Sequence, residues 1–229
     1  MAVEVSVVVP FNAGACPGRD RAWSWVQARY EALHPEWQLV VGVDPGSTWS
    51  KGRAVADGVA RADGEVLVIA DADSFMAQAE MTAAVEALDR APWITPHLRV
   101  RRINEQWTET LLDQPPTTDP PYWRRRFLCR AVYSGPMGGG ITVLPRSTWD
   151  AVPIDARFEG WGGEDLAWGR ALHTLIGEGL RLGGDLWHLW HPPADNHRAP
   201  TDTTERLAGA YREAAGIPDL MADLVNAGR

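Results

Sequence analysis

A chain of 229 residues, 45% hydrophobic and 23% charged, has the length and composition of a globular protein with a real core, as one sizeable α/β domain or two small ones. A net charge of −8 argues against a general nucleic-acid binder, which needs a basic surface, and two cysteines (Cys16, Cys129) exclude a disulfide framework or a thiolate zinc site. No apolar run nears the ~20 residues that span a bilayer, and Met1–Glu4 lacks a basic leader, so the expectation is a cytoplasmic protein without an anchor of its own.

In chain order, Val3–Val9 reads as a buried strand, ended by Pro10, Phe11 and Asn12. Arg21–Leu33 has helical spacing, and Pro35 breaks it. Gln38–Val43 reads as a second strand, closed by the turn Asp44–Thr48, and Lys51–Ala62 as a helix. Lys51 is the only lysine. Val66–Ile69 then reads as a strand buried on both faces, followed by Asp71, Ala72 and Asp73. Strands alternating with helices at this spacing predict a mostly parallel, Rossmann-like sheet, whose ligands bind at the carboxyl ends of its strands. Two acids at such a strand end can share Mg²⁺ or Mn²⁺, although an Asp-rich helix cap would look the same.

Glu80–Leu88 reads as a helix and Trp93–Val100 as a strand. Four prolines between Gln114 and Pro121 exclude regular structure, and Tyr122–Arg126 follows as either a solvated charge run or a loop whose arginines meet a diphosphate. Gly138, Gly139 and Gly140 precede a strand, Ile141–Leu144, and suggest close approach of backbone and ligand. Phe158–Asp165 opens a helix, Leu166–Ile176, with Glu164 and Asp165 in its first turn, where the macrodipole favours carboxylates. Trp161, flanked by Gly160, Gly162 and Gly163, suits an exposed platform for a sugar ring. A late strand, Leu186–His191, precedes a loop and C-terminal helices over 192–229, which either pack on the sheet edge or form a lid.

Together these segments resemble a GT-A-fold glycosyltransferase over Val3 to about His191. The N-terminal half, 1–110, is similar to family-2-type enzymes in its first strand, its Asp44 turn and Lys51–Asp73. The C-terminal half, 127–191, is similar to polypeptide N-acetylgalactosaminyltransferases in Pro136–Asp150 and to β-1,4-galactosyltransferases in the Trp-Gly-Gly-Glu-Asp run of Trp161–Asp165.

The resemblance implies a single α/β domain with helices flanking a mostly parallel sheet. It places Pro10, Phe11, Asn12 and Asp44 at the nucleobase and ribose, with Lys51, Arg53 and Ala72 also on the donor side. It assigns the metal to Asp73 and to His188 or His191, with Asp71 on ribose or a metal-bound water, and names Mn²⁺ or Mg²⁺ as cofactor. His197 is a weaker, loop-borne alternative. Asp165 is implied as general base, with Glu164 holding a hydroxyl, and Trp161, Gly162, Gly163, Gly139 and Gly140 line the acceptor side.

The implied reaction moves a sugar from a nucleotide diphosphate sugar, a UDP-sugar, to an acceptor glycan, glycolipid or protein. The N-acetylgalactosaminyltransferases have Asn where Asp165 stands and retain configuration, so Asp implies inversion. A bare catalytic domain suggests a bacterial or phage enzyme. The competing readings are a retaining enzyme of the same fold, a sugar nucleotidyltransferase and a non-catalytic sugar-binding module. A nucleotidyltransferase should carry basic residues directly after the first strand, and Phe11–Pro17 has none.

Overall fold

The computed structural model describes residues 4–14, 16–119, 139–160, 162–192 and 201–229, and the backbone of 128–131. Its sheet runs β2 (Gln38–Gly42), β1 (Val5–Pro10), β3 (Val66–Ala70), β7 (Ile141–Pro145), β5 (Ile94–Arg102), β8 (Leu180–His188) and β4 (Ser74–Phe75), with β6 (Leu128–Ala131) paired to β5. Strands β1, β2, β3, β5 and β8 run one way, and β4, β6 and β7 run against them.

The continuous apolar runs of β1 and β3 follow from their position, because helices cover both faces of the sheet and every residue of the two strands is buried. On one face lie α1 (Pro17–Leu33), α3 (Gln78–Glu86) and α4 (Glu105–Leu112), joined in a core containing Val7, Trp25, Val68, Phe75 and Trp187. On the other lie α2 (Lys51–Arg61), α5 (Arg146–Ala151) and α6 (Glu164–Leu175), with α7 (Asp202–Glu213) and α8 (Pro218–Ala227) packed on α6. Here Val8, Ile69, Trp168, Tyr211 and Met221 share a second core.

Three departures from the sequence reading matter for the site. β8 starts at Leu180, ahead of the expected Leu186, because Gly183, Gly184 and Asp185 interrupt an apolar pattern that pairing with β5 nonetheless holds extended. The two-residue strand β4 is set by its partner and not by propensity: Ser74 pairs with His188 and Phe75 with Trp187. α4 has no counterpart in that reading; Asn104 caps it by accepting from the Trp107 N–H. Among the described residues, no helix is long and apolar enough to cross a membrane.

Candidate active site

A cleft of about 340 Å³ opens where β3 ends, between the segment after β3 and the N-terminus of α6. Asp71, Ala72 and Asp73 line one side, and Glu164 and Asp165 the other. Two backbone hydrogen bonds fix this geometry: the Asp71 N–H donates to the Gly140 carbonyl (2.9 Å) and the Leu189 N–H to the Asp73 carbonyl (2.9 Å).

The second of these bonds, with the Ser74–His188 pairing, draws the end of β8 beside Asp73. His188 Nε2 lies 3.6 Å from Asp73 Oδ1, and His191 Nε2 lies 3.3 Å from Asp73 Oδ2. The ligand atoms of all three residues fall within 4.8 Å of one another. His191 Nδ1 is 2.8 Å from the Pro192 carbonyl. A proton on Nδ1 donated to that carbonyl leaves the Nε2 lone pair facing Asp73, the arrangement in which histidine binds a metal. One carboxylate and two imidazoles fit a transition-metal ion such as Mn²⁺ better than Mg²⁺, which favours oxygen alone. Arg19 Nη2 also reaches Asp73 Oδ2, at 3.3 Å. Burial alone would raise the Asp73 carboxyl, but His191, His188 and Arg19 together hold it well below the usual carboxylate range.

Across the cleft, Lys51 joins the two strand-end and helix-start acids. Ser50 caps α2 and leaves Lys51 at its first position, with Nζ 2.8 Å from Asp71 Oδ1 and 2.9 Å from Asp165 Oδ1. Burial works to lower the Lys51 ammonium, yet the charges of Asp165 and Asp71 outweigh it and keep the group protonated. Burial pushes the Asp165 carboxyl up, Lys51 opposes the rise, and the Asp71 charge adds to it. A carboxylate raised in this way takes up a proton more readily than an exposed one, which suits a general base.

Glycines make this arrangement possible. Gly162 (φ 99°) and Gly163 (φ 95°) adopt left-handed backbone that other residues avoid, and so turn the chain directly into α6. A Cβ on Gly139 would stand 2.4 Å from Asp165 Oδ2, so only glycine lets the two segments close.

Glu164 supplies a pH dependence. Its Oε2 is buried without a hydrogen-bond partner. Burial and the Asp165 charge, opposed by Lys51, push its carboxyl up to about 7. A group raised in the folded state stabilises the fold fully below its unfolded value and loses that contribution as pH rises through the folded value. The metal-free protein is therefore expected to lose about 3 kcal/mol of stability from Glu164 between pH 4.5 and 7. Urea titrations at pH 5 and pH 8 check this: Glu164→Gln should match the wild type at pH 5 and exceed it at pH 8. Equal stability of the two proteins at both pH values would contradict it.

Other expected donor-side residues fall elsewhere. Pro10 and Lys51 line the cleft with Ala72, but Phe11 is a core side chain tilted against Trp23, with ring centroids 5.8 Å apart. Asn12 and Asp44 bind each other's segment: Asn12 Nδ2 donates to the Asp44 carbonyl (2.7 Å), and the Asp44 N–H donates to Asn12 Oδ1 (3.0 Å).

The expectation that Asp44 accepts a bond from uracil or ribose does not fit its surroundings. Oδ1 accepts from Gly46 N and Arg53 Nε, and Oδ2 from Ser50 N and Arg53 Nη2. The four lone-pair positions of the carboxylate are taken within the chain, and Arg53 is spent holding this turn.

Trp161, His197 and Tyr122–Arg126 lie outside the described residues, as do residues 193–200 of the C-terminal segment.

The cleft residues that escaped the sequence reading include Arg19, Trp49, His97 and Arg102. Arg19 stands just beyond Phe11–Pro17, and Gly18, packed on Pro192, precedes it where it meets Asp73. Trp49 sits in a turn-rich run, where a tryptophan signals nothing by itself. His97 looks like a core residue of an apolar strand.

No protein-family model matches the sequence, and no curated protein sequence matches it. Comparison with solved structures shows that the chain has the GT-A glycosyltransferase fold. It is similar to the catalytic domain of Drosophila β1,4-galactosyltransferase 7 in complex with xylobiose, with a TM-score of 0.53 and 12% identity, covering 89% of this chain and 79% of that one. It is also similar to glucosyl-3-phosphoglycerate synthase from Mycobacterium tuberculosis in complex with Mn²⁺, UDP and glucosyl-3-phosphoglycerate: TM-score 0.55, 16% identity, 95% of this chain and 82% of that one. A third likeness is to GalNAc-T7 with UDP, GalNAc and Mn²⁺, at a TM-score of 0.55 and 13% identity, covering 97% of this chain and 54% of that one.

Proposed function

We propose that the chain is a metal-dependent glycosyltransferase that moves a sugar from a UDP-sugar to an acceptor hydroxyl with inversion. The observation that carries the reading is one cleft, on a GT-A fold, with a carboxylate–imidazole cluster on one wall and a lysine-held carboxylate on the other. Proteins of similar fold are solved with Mn²⁺ and UDP, which supports the donor class.

In this reading Asp73, His188 and His191 hold the metal. Bound Mn²⁺ supplies Lewis-acid stabilisation of the leaving nucleoside diphosphate. Arg19, released from Asp73, adds its guanidinium to that diphosphate. Asp165 takes the proton of the acceptor hydroxyl as its oxygen attacks the anomeric carbon, and the sugar–phosphate bond breaks with its electron pair leaving on the diphosphate. Lys51 holds Asp165 and Asp71 at fixed separation, and Glu164 binds a sugar hydroxyl. Trp161, Gly162 and Gly163 form the acceptor side, with Trp49 as an added aromatic wall.

A thermal-shift panel with Mn²⁺ and UDP, GDP, ADP, CMP or dTDP, with and without EDTA, tests the reading. UDP at 100 times its dissociation constant should stabilise by about 2.7 kcal/mol, and only with Mn²⁺ present. No shift with any nucleotide would overturn the catalytic reading and favour a sugar-binding module.

A further inference from the structure

His97 lies in the middle of β5, fully buried, and neither ring nitrogen has a hydrogen-bond partner. Buried polar side chains are nearly always paired, because an unmade bond leaves the desolvation cost standing. The backbone around it is irregular as well. Against β8, the register of β5 shifts between Thr95 and His97 and again between His97 and Arg99. Such bulges re-aim a side chain, and they gather next to active sites.

The ring is aimed at the cleft. It lines the wall together with Gly140 and Leu186. A Cβ on Gly140 would stand 2.6 Å from Leu186 Cδ2, 3.1 Å from His97 Cε1 and 3.2 Å from Nε2, so glycine there leaves room beside the imidazole edge that a side chain would fill. The neighbouring Gly139 abuts Asp165, and Gly140 holds Asp71 through its carbonyl. His97 therefore lines the same cleft as the base and the strand-end acids, beside the glycines that contact both.

Chemistry narrows the ligand. Burial, with the Arg181 charge adding to it, lowers the His97 imidazolium to about 4, so the ring is neutral at pH 7. A neutral imidazole offers one N–H donor and one acceptor nitrogen. A sugar hydroxyl donates and accepts at once and matches that pair, whereas a phosphate finds its charge partners in Arg19 and the metal cluster.

We propose that His97 reads a hydroxyl of the transferred sugar and sets the donor-sugar preference of the site. The proposal rests on the glycosyltransferase reading above. A site built to hydrogen-bond a substrate hydroxyl discriminates strongly against an analogue that lacks or misplaces it.

The test is calorimetric titration of the full chain with Mn²⁺ and UDP-glucose, UDP-galactose, UDP-N-acetylglucosamine or GDP-mannose, beside bare UDP and GDP. Wild type should bind one nucleotide sugar more tightly than its epimers. His97→Leu should lose about tenfold of that affinity and flatten the ranking, with bare-nucleotide affinity held within about twofold. Its melting temperature should stay level or rise, because two desolvated nitrogens are gone. His97→Asn, which keeps a donor and an acceptor on a shorter stem, should also disturb the ranking, and it alone decides if His97→Leu does not fold.

Wild-type ranking in the folded variants, with nucleotide binding intact, would overturn the role of His97 and leave the glycosyltransferase reading standing. No nucleotide or nucleotide-sugar binding by the wild type would overturn both.

Discussion

Asp165→Asn should lower turnover by about 10²- to 10⁴-fold, the range that a positioned general base contributes, while nucleotide binding survives. The amide cannot take the acceptor proton, but it keeps the shape of the carboxylate and an oxygen that accepts from Lys51, now 2.9 Å away. Stability should change by no more than about 1 kcal/mol: Lys51 loses one of two ion pairs, and a carboxylate whose burial is unfavourable disappears at the same time. The substitution should also leave a mark on Glu164. The Asp165 charge is one reason that its carboxyl is raised, so in Asp165→Asn the Glu164 titration should move down in pH. Steady-state kinetics and Mn²⁺–UDP thermal shifts measure the first two effects, and urea titrations across pH the third. Turnover within twofold of wild type would remove Asp165 as the base.

The second large effect is expected at Asp73. Asp73→Asn should lower Mn²⁺ affinity by about 100-fold or more and abolish the Mn²⁺-dependent part of the nucleotide shift, since it removes the one negative ligand of the cluster. Metal-free stability at pH 7 should fall by about 1–3 kcal/mol, because Arg19 and His191 lose the carboxylate that they both contact. Above its unfolded value, the depressed Asp73 carboxyl contributes stability that is lost as pH falls through its folded value. The variant should therefore lose less than wild type on acidification. Asp71→Asn is the informative partner, because Asp71 faces Lys51 and stands outside the cluster. It should keep most of the Mn²⁺ affinity. Equal Mn²⁺ shifts in wild type and Asp73→Asn would place the metal elsewhere.

Much of the frame was legible because it rests on local pattern. Val5–Val9 and Val66–Ala70 are short β-branched runs without polar alternation, and only a strand covered on both faces explains them. The acids of Asp71–Asp73 and Glu164–Asp165 sit where a strand ends and a helix begins, so adjacent residues alone put them at the cleft. The glycines at 162 and 163 signal the tight turn that delivers α6, through a conformation other side chains avoid.

What the tertiary structure decided are the partnerships. Whether His188 or His191 approaches Asp73 was open from sequence; pairing of Ser74 with His188 and the Leu189 N–H bond to the Asp73 carbonyl bring both. Lys51 matched a basic donor-side position, yet α2 aims it at Asp71 and Asp165, residues 20 and 114 positions away. Asp44 matched a nucleotide ligand, and Arg53 with two backbone N–H groups of its own turn, those of Gly46 and Ser50, claims it instead. His97 has no sequence signal, because its place on the cleft wall goes with shifts of strand register that arise only when β5 pairs with β8. The physical reason is the same in each case. Periodicity fixes which face a residue takes within its own element, but hydrogen-bond and charge partners across elements depend on register and approach, which are set only when the sheet and its helices pack.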